Sequence, residues 1–387
     1  MKSKKAVQIT IFTLSILLAL SVGFIIGIFC PLRQTINTSS SKDNISHNTN
    51  SATEHNVQEK TDTENEVSTN STVDKSNESS SEFQGYETYG SLSVKDGKLV
   101  SNNRKTAILR GISTHGLSWF PQYVNADTFR TLKECYGINV IRLAMYTSEY
   151  NGYCTGDESN KQTLKNTIYE GINHATNLGM YVIIDWHTLT DNNPLQHKEE
   201  AKEFFNQLSS QYKGYDNIIY EICNEPTGTS WQDIKSYAEE IIPIIRSNDK
   251  NAIILVGTPN WCQYLNEAAD SPLKYDNIMY TLHFYAGTHK DDLRNTLKAA
   301  VDKKLPVFVS EFGICEASGN GNIDTASANS WIDLLEENQI SYVLWNLSNK
   351  NESCAFLKPD CQKISDFTEK DLSEEGKWYV DILKKNT

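Results

Sequence analysis

Ile218-Ile219-Tyr220-Glu221-Ile222-Cys223-Asn224-Glu225-Pro226 is an apolar run that reads as a buried strand and breaks off at Asn-Glu-Pro. Proline lacks the N–H that a sheet ladder needs, and it steers the residue before it away from helix. Glu225 is therefore expected at a strand end, in extended geometry, with an amide beside it. Taken alone, the tripeptide reads as an ordinary loop entry. The rest of the chain changes that.

The same kind of run recurs seven more times, at 107–112, 140–144, 181–185, 253–256, 278–283, 307–311 and 342–345. Between the runs lie segments with apolar residues at three and four spacing. Ile234, Tyr237, Ala238, Ile241, Ile242 and Ile245 form one, and Trp331, Leu334 and Leu335 another. Alternation of strand and helix implies an α/β fold with a parallel sheet, and eight units are the number that closes a (β/α)8 TIM barrel. An open doubly wound sheet is the alternative, but no glycine-rich nucleotide loop follows any of the strands. Ahead of the first unit, Lys95-Asp96-Gly97 between short β-rich runs signals a hairpin, placed to plug the barrel floor.

In such a barrel the C-terminal strand ends share one face. Read together, those ends carry His115 and Trp119, then Arg142 and Tyr146, then Asp185, Trp186 and His187, then Asn224 and Glu225. Trp261, His283 with Tyr285, Glu311 and Trp345 complete the ring. Two carboxyl groups facing each other across a bond are what glycoside hydrolysis needs, one as acid and one as nucleophile. Tryptophans offer flat apolar faces to the C–H faces of pyranose rings. Asp185 reads better as a buried structural carboxylate, and Trp186, Trp231, Trp331 and Trp378 as packing.

Other chemistries fit less well. The chain has no Gly-x-Ser-x-Gly turn, no His-Glu-x-x-His helix and no Cys-x-x-Cys, so neither a metal nor a cofactor is expected. A net charge of −13 argues against nucleic acid and suits a neutral substrate.

Lys2, Lys4 and Lys5 precede an apolar run from Ala6 to Cys30, long enough to span a bilayer. Residues 1–36 are expected to be an uncleaved membrane anchor with an exported remainder, a cleaved signal peptide being the alternative. Residues 37–88, rich in Ser, Thr, Asn and Glu, are expected to form a disordered linker. About fifty such residues reach roughly 40 Å. Residues 89–387 are then the barrel, expected to act as a monomer.

Residues from about 90 to 385 resemble glycoside hydrolase family five, in particular its bacterial endo-β-1,4-glucanases. The motifs that carry the resemblance are Ser113-Thr-His115-Gly-Leu-Ser-Trp119, Asn139-Val-Ile-Arg142, Ala144-Met-Tyr146-Thr, Val182-Ile-Ile-Asp185-Trp-His187, Ile219-Tyr-Glu-Ile-Cys-Asn224-Glu225-Pro226, His283-Phe-Tyr285, Val309-Ser-Glu311-Phe-Gly and Leu344-Trp345-Asn, in order through the whole barrel. The resemblance implies a β-glucan substrate and a retaining mechanism, with Glu225 as acid/base and Glu311 as nucleophile. It implies that Asn224 holds the sugar 2-hydroxyl, that Arg142 and Tyr285 contact Glu311, and that His187 and His283 line the attacked sugar's subsite. Trp345 would stack under that sugar, His115 and Trp119 would lie further along the glycone side, and Lys350 and Glu352 would bind glycone hydroxyls. Trp261 would be an aglycone platform. Leu143, Cys223 and Phe312 depart from the commoner residues at their positions and are expected behind the site. Nothing outside the barrel reads as a carbohydrate-binding module, so soluble or amorphous glucan is the expected substrate. A mannanase, a β-1,3-1,4-glucanase and an inactive surface glycan-binding barrel are the competing readings, the last opposed by the presence of both carboxylates.

Two further expectations concern protons and sulfur. Glu225 is expected to carry a raised pKa beside an ionised Glu311. Of eight cysteines, Cys354 and Cys361 share one loop and are the expected pair, whereas Cys223 and Cys315 are expected to be reduced and packed.

Overall fold

The structure, a computed structural model, describes residues 85–386. The expected anchor and all but the last few residues of the expected linker lie outside the described residues. Among the described residues no helix is long and apolar enough to cross a membrane. The last residues assigned to the linker are ordered. Tyr86–Tyr89 form one turn of helix, Tyr86 donates its N–H to the Gly179 carbonyl at 2.9 Å, and Tyr89 is buried. A single turn is too short for its periodicity to be read from sequence.

Strands β1 (Ser93–Lys95) and β2 (Lys98–Val100) pair antiparallel as the expected hairpin. Its two turn residues, Asp96 (φ 50°) and Gly97 (φ 78°), are both left-handed, as a tight hairpin turn requires and as Asp-Gly permits. Leu92 and Leu99 from this hairpin pack with Ala107, Val140, Tyr181, Ile219 and Phe308 in one apolar cluster. The hairpin thus closes the barrel floor.

The barrel consists of β3 (Arg110–Thr114), β4 (Val140–Tyr146), β5 (Tyr181–His187), β6 (Ile218–Glu221), β7 (Ile253–Gly257), β8 (Ile278–Tyr285), β9 (Val307–Gly313) and β10 (Tyr342–Leu347). They close in the order β10-β3-β4-β5-β6-β7-β8-β9, every neighbouring pair parallel. Most strands run beyond the apolar windows read from sequence. Met145 and Tyr146 still pair with Trp186 and His187, so the ladder continues through residues whose side chains serve the site.

Alternation along each strand sorts side chains into two sets. Val140, Tyr181, Ile183, Ile219, Ile253, Leu255 and Met279 fill the interior with the hairpin. Their neighbours Ile141, Val182, Ile184, Ile218, Ile254 and Ile278 pack outward against the helices. The helix Trp231–Asn248, started by a Ser230–Asp233 capping box, buries Ile234, Tyr237, Ala238, Ile241, Ile242 and Ile245, as its three-and-four spacing requires. Trp186 and Trp331 are core residues, also as expected.

The alternation is broken in β9. Thr281 and His283 of β8, two residues apart, pair with Phe308 and Glu311 of β9, three apart. From the other side Tyr342 and Leu344 pair with Val309 and Phe312. Both neighbours therefore see one extra residue in β9, a bulge that turns Ser310 and Glu311 toward the same interior.

Leu99, 2% exposed, tests the plug. Leu99→Ala should lower the unfolding free energy by about 2–5 kcal/mol in urea titrations. A loss under about 0.5 kcal/mol, the range of surface substitutions, would contradict a packed floor.

Candidate active site

Two residues above the apolar floor the inward positions become polar. They are Ser113 of β3, Arg142 of β4, Asp185 of β5, Glu221 of β6, His283 of β8, and Ser310 and Glu311 of β9, all at most 4% exposed. Arg142, fully buried, is the centre. Its Nε donates to Glu221 Oε2 at 2.7 Å, its Nη1 to Glu311 Oε2 at 3.1 Å, and its Nη2 to Asn224 Oδ1 at 2.6 Å. Nη2 also lies 3.0 Å from Asp185 Oδ2. Asp185 in turn accepts a 2.6 Å bond from His187 Nδ1 and so fixes that ring. It is the structural carboxylate expected from the sequence.

Glu311 receives a second donor, Tyr285 Oη, at 2.7 Å from Oε1. Opposite stands Glu225, whose Oε1 lies 2.8 Å from His283 Nδ1. His283 Nε2 is 2.9 Å from Ser310 Oγ, which donates to Glu221 Oε1 at 2.6 Å. One ligand atom each from Glu225, His283 and Glu311 lie within 4.8 Å of one another. Such a trio is compact enough for a metal ion, but the Arg142 charge beside Glu311 and a proton in the His283–Glu225 bond both oppose a cation there.

The protons are placed otherwise than expected. Burial pushes the Glu225 carboxyl up, but its bond to His283 and the imidazolium charge outweigh that and hold it below its ordinary value. Burial would lower His283, yet its partners Glu221 and Glu225 carry it to about 9. Glu311 is pushed up by burial and by the Glu225 charge, against His283 and Arg142. In the resting site the acid's proton thus resides on His283, one hydrogen bond from Glu225. Burial and the Arg142 charge hold His187 at about 4, so it is neutral at pH 7 and free to donate Nδ1–H to Asp185.

These groups open into a cleft of about 750 Å³ lined by His115, Trp119, Tyr146, His187, Glu225, Trp261, His283, Tyr285, Glu311, Trp345, Lys350 and Glu352, all expected from the sequence. Arg142 and Asn224, expected among the substrate-binding residues, do not line it. Both are fully buried behind the carboxylates, and the Asn224 amide is engaged by Arg142, by the Thr188 carbonyl at 3.0 Å and by His187 Nε2 at 3.3 Å.

Aromatic rings form the walls. Trp345 stacks on His187 at 5.3 Å between centroids, and Trp119 packs on Tyr146 at 4.7 Å. Trp119 follows β3 and Trp261 follows β7, on opposite sides of the eight-stranded ring. Trp261 sits in a rare run of left-handed residues, Asn260, Trp261 and Cys262 (φ 57°, 55° and 59°), and is 47% exposed. Such backbone costs about 1–3 kcal/mol per residue and persists where the surroundings fix it. Here the Trp261 N–H bonds the Pro226 carbonyl at 3.3 Å and the Cys262 thiol the Asn224 carbonyl at 2.8 Å. Glu352 accepts from Asn346 Nδ2 at 2.9 Å and pairs with Lys350 at 2.7 Å.

Sequence reasoning missed several residues. Glu221 was readable in principle, as a lone carboxylate in the apolar run 218–222. Ser310 faces inward by alternation from Phe308, but a lone serine beside Glu311 carried no functional signal. Glu149 lines the cleft and holds the Thr190 N–H and hydroxyl at 3.0 and 2.8 Å. A disulfide joins Cys315 to Cys354, so Cys354 does not pair with Cys361 and Cys315 is not reduced as expected. Cys354 packs into the apolar cluster under the cleft, whereas Cys361 packs into the main core and is free. Cys223 is buried and free, as expected.

A closed (β/α)8 barrel with two carboxyl groups converging in an aromatic-walled cleft at its strand ends defines a barrel-type glycoside hydrolase. The chain belongs to the cellulase family, glycosyl hydrolase family 5, whose model matches residues 100–351. It is 50% identical over 297 residues to endoglucanase A of Butyrivibrio fibrisolvens, covering 76% of this chain and 69% of that protein. It is 46% identical over 289 residues to an endoglucanase of Clostridium saccharobutylicum, covering 74% of this chain and 63% of that one. The chain therefore spans roughly two thirds of the length of these curated relatives. The solved catalytic domain of Thermobifida fusca endoglucanase Cel5A superposes with a TM-score of 0.74 at 36% identity, over 77% of this chain and 99% of that domain.

His283 makes a pH prediction. Its pKa is raised from 6.5 to about 9, so its stabilising contribution is complete below pH 6.5 and is lost as pH rises through about 9. Unfolding free energy should decline across that window by on the order of 3 kcal/mol. In urea titrations at stepped pH, His283→Gln should lack this part of the decline. An equal slope in both proteins would contradict the assignment.

Proposed function

We propose that this chain is a retaining endo-β-1,4-glucanase acting on soluble or amorphous β-glucan. One observation carries the mechanism: oxygens of Glu225 and Glu311 approach within 4.8 Å. Retaining enzymes hold their carboxyl groups about 5–5.5 Å apart, whereas inverting ones leave about 6.5–9.5 Å for a water. The substrate is supported by family membership and by relatives named endoglucanases.

Glu311 attacks the anomeric carbon while Glu225 protonates the leaving oxygen. The proton moves from His283 Nδ1 to Glu225 across their 2.8 Å bond. This transfer removes the Glu225 charge, which is one of the two causes that push Glu311 up. It also removes the His283 charge, which opposes that rise, so the shift arms the acid while its two effects on the nucleophile offset each other. Arg142 and Tyr285 hold that nucleophile with one donor on each oxygen. Once the Glu311 ester forms, its charge is gone, and Glu225 takes a proton from the water that breaks the ester.

Two variants separate the roles. Glu311→Ala should abolish turnover on every substrate. Glu225→Ala should retain activity on aryl glycosides whose leaving group needs no proton, and azide should accelerate it. Equal losses on activated and natural substrates, with no azide rescue, would contradict these roles.

Platforms on both sides of the ring support cleavage inside a chain. Viscosity of a soluble cellulose derivative should then fall faster than reducing ends rise. Glucose as the sole early product would indicate exo action, and faster release from mannan or barley glucan would move the substrate to the competing readings.

For location, we propose an exported barrel held at the cell surface by residues 1–36 and a linker. The reading rests on the lysines before the apolar run at 6–30, with signal cleavage as the alternative. Protease treatment of intact cells should release active barrel. Intact enzyme free in the medium would contradict the anchor.

A further inference from the structure

The loops after β9 and β10 contain no regular secondary structure between 314 and 324 or between 348 and 356, yet both form the cleft wall. The first supplies Ala317, Ser318 and Gly319, and the second Lys350 and Glu352. They are joined by the Cys315–Cys354 disulfide, 39 residues apart in sequence, with both cysteines fully buried.

We propose that this disulfide is a positioning clamp for substrate binding, fixing the Lys350–Glu352 arm against the 317–319 rim. The proposal rests on the glucanase reading above. Three sets of contacts support it. Toward the arm, the Cys354 carbonyl accepts the Asn346 N–H at 2.8 Å, and Asn346 Nδ2 donates to Glu352 Oε1 at 2.9 Å. Toward the rim, the Cys354 N–H donates to the Gly319 carbonyl at 3.2 Å. Ser353 adds its N–H and hydroxyl to Asn320 Oδ1 at 3.1 and 3.0 Å, but those bonds are exposed to water. The disulfide is the covalent link between the two loops, and it is shielded from solvent.

Beneath the cleft, both sulfurs belong to the cluster formed by Ala144, Tyr146, Tyr285 and Trp345. Gly313 marks how close that contact is. A Cβ there would stand 2.6 Å from Cys354 Sγ and 2.7 Å from the Tyr285 ring. The Cys354 sulfur and the ring that donates to Glu311 thus both press on the Gly313 backbone and share one packed cluster. Loops without secondary structure open at low free energy, so their spacing depends on such ties.

A double-mutant cycle tests the clamp. Cys315→Ser/Cys354→Ser should raise KM for cello-oligosaccharides about tenfold and change kcat less than about threefold, because positioning acts on binding. Its effect on KM should be strongly non-additive with Glu352→Ala, and additive with Trp261→Ala across the ring. A purely structural bond would lower the melting temperature and leave KM unchanged. That result, or additivity with Glu352→Ala, would overturn the proposal. If the serine pair does not fold, Cys315→Ala/Cys354→Ala carries the same cycle. If the wild-type enzyme cleaves no β-glucan, the function above fails and amide exchange decides the clamp. Exchange at 314–324 and 348–356 should then accelerate in the variant while the barrel strands stay protected, and unchanged exchange there would overturn it.

Discussion

The buried Arg142 guanidinium is the constraint on which the site depends. It meets three carboxylates, Glu221, Asp185 and Glu311, with no exposure to solvent. One positive charge cannot satisfy three negative ones in a low-dielectric interior. The structure divides them. Glu221 overcomes burial through Arg142 and His283 and is held at about 2, whereas burial drives Asp185 well up despite the same arginine. Glu311, at the open end of the network, is left as the carboxyl whose charge can change during the reaction. Removing Arg142 would leave buried carboxylates without compensation, which is why so costly a group persists at the barrel centre.

Bringing these charges together takes the whole barrel. Alternation places Arg142 one layer above Val140, Asp185 above Ile183 and Glu221 above Ile219, so the apolar floor and the polar layer are consecutive rungs of the same strands. The β9 bulge adds what alternation cannot. It lets adjacent residues face inward, Ser310 to join His283 to Glu221 and Glu311 to face Glu225. Within this layer the proton on His283 and the charge on Glu311 are linked through Glu225.

Much of this was legible in the sequence, for physical reasons. Eight apolar runs and the helical spacing between them report burial, and burial is what closes a barrel. The residue types at the strand ends report the chemistry, and twelve expected residues line one cleft. Consequences of three-dimensional closure were not legible. Alternation from Phe308 turns Ser310 inward and would turn Glu311 outward until the bulge is known. Cys315 and Cys354 lie on different loops, and only the packing under the cleft brings their sulfurs together. The contact of Arg142 with Glu311 was expected from the resemblance and is present, but the depth at which Arg142 and Asn224 lie was not legible, because sequence shows that a polar group sits near a strand end but not how deep. The proton on His283 depends on two carboxylates from other strands, which no local pattern encodes. The turn at Tyr86–Tyr89 is too short to leave a periodic trace.

The central claim is that Arg142 fixes Glu311 close enough to Glu225 for attack by the carboxylate itself, without a water between them. Stereochemistry reads that spacing directly. Proton NMR of a cello-oligosaccharide digest, recorded before the new reducing ends mutarotate, should show the β-anomer first, with the α-anomer growing in later. Initial appearance of the α-anomer would mean a single displacement by water and would contradict the account.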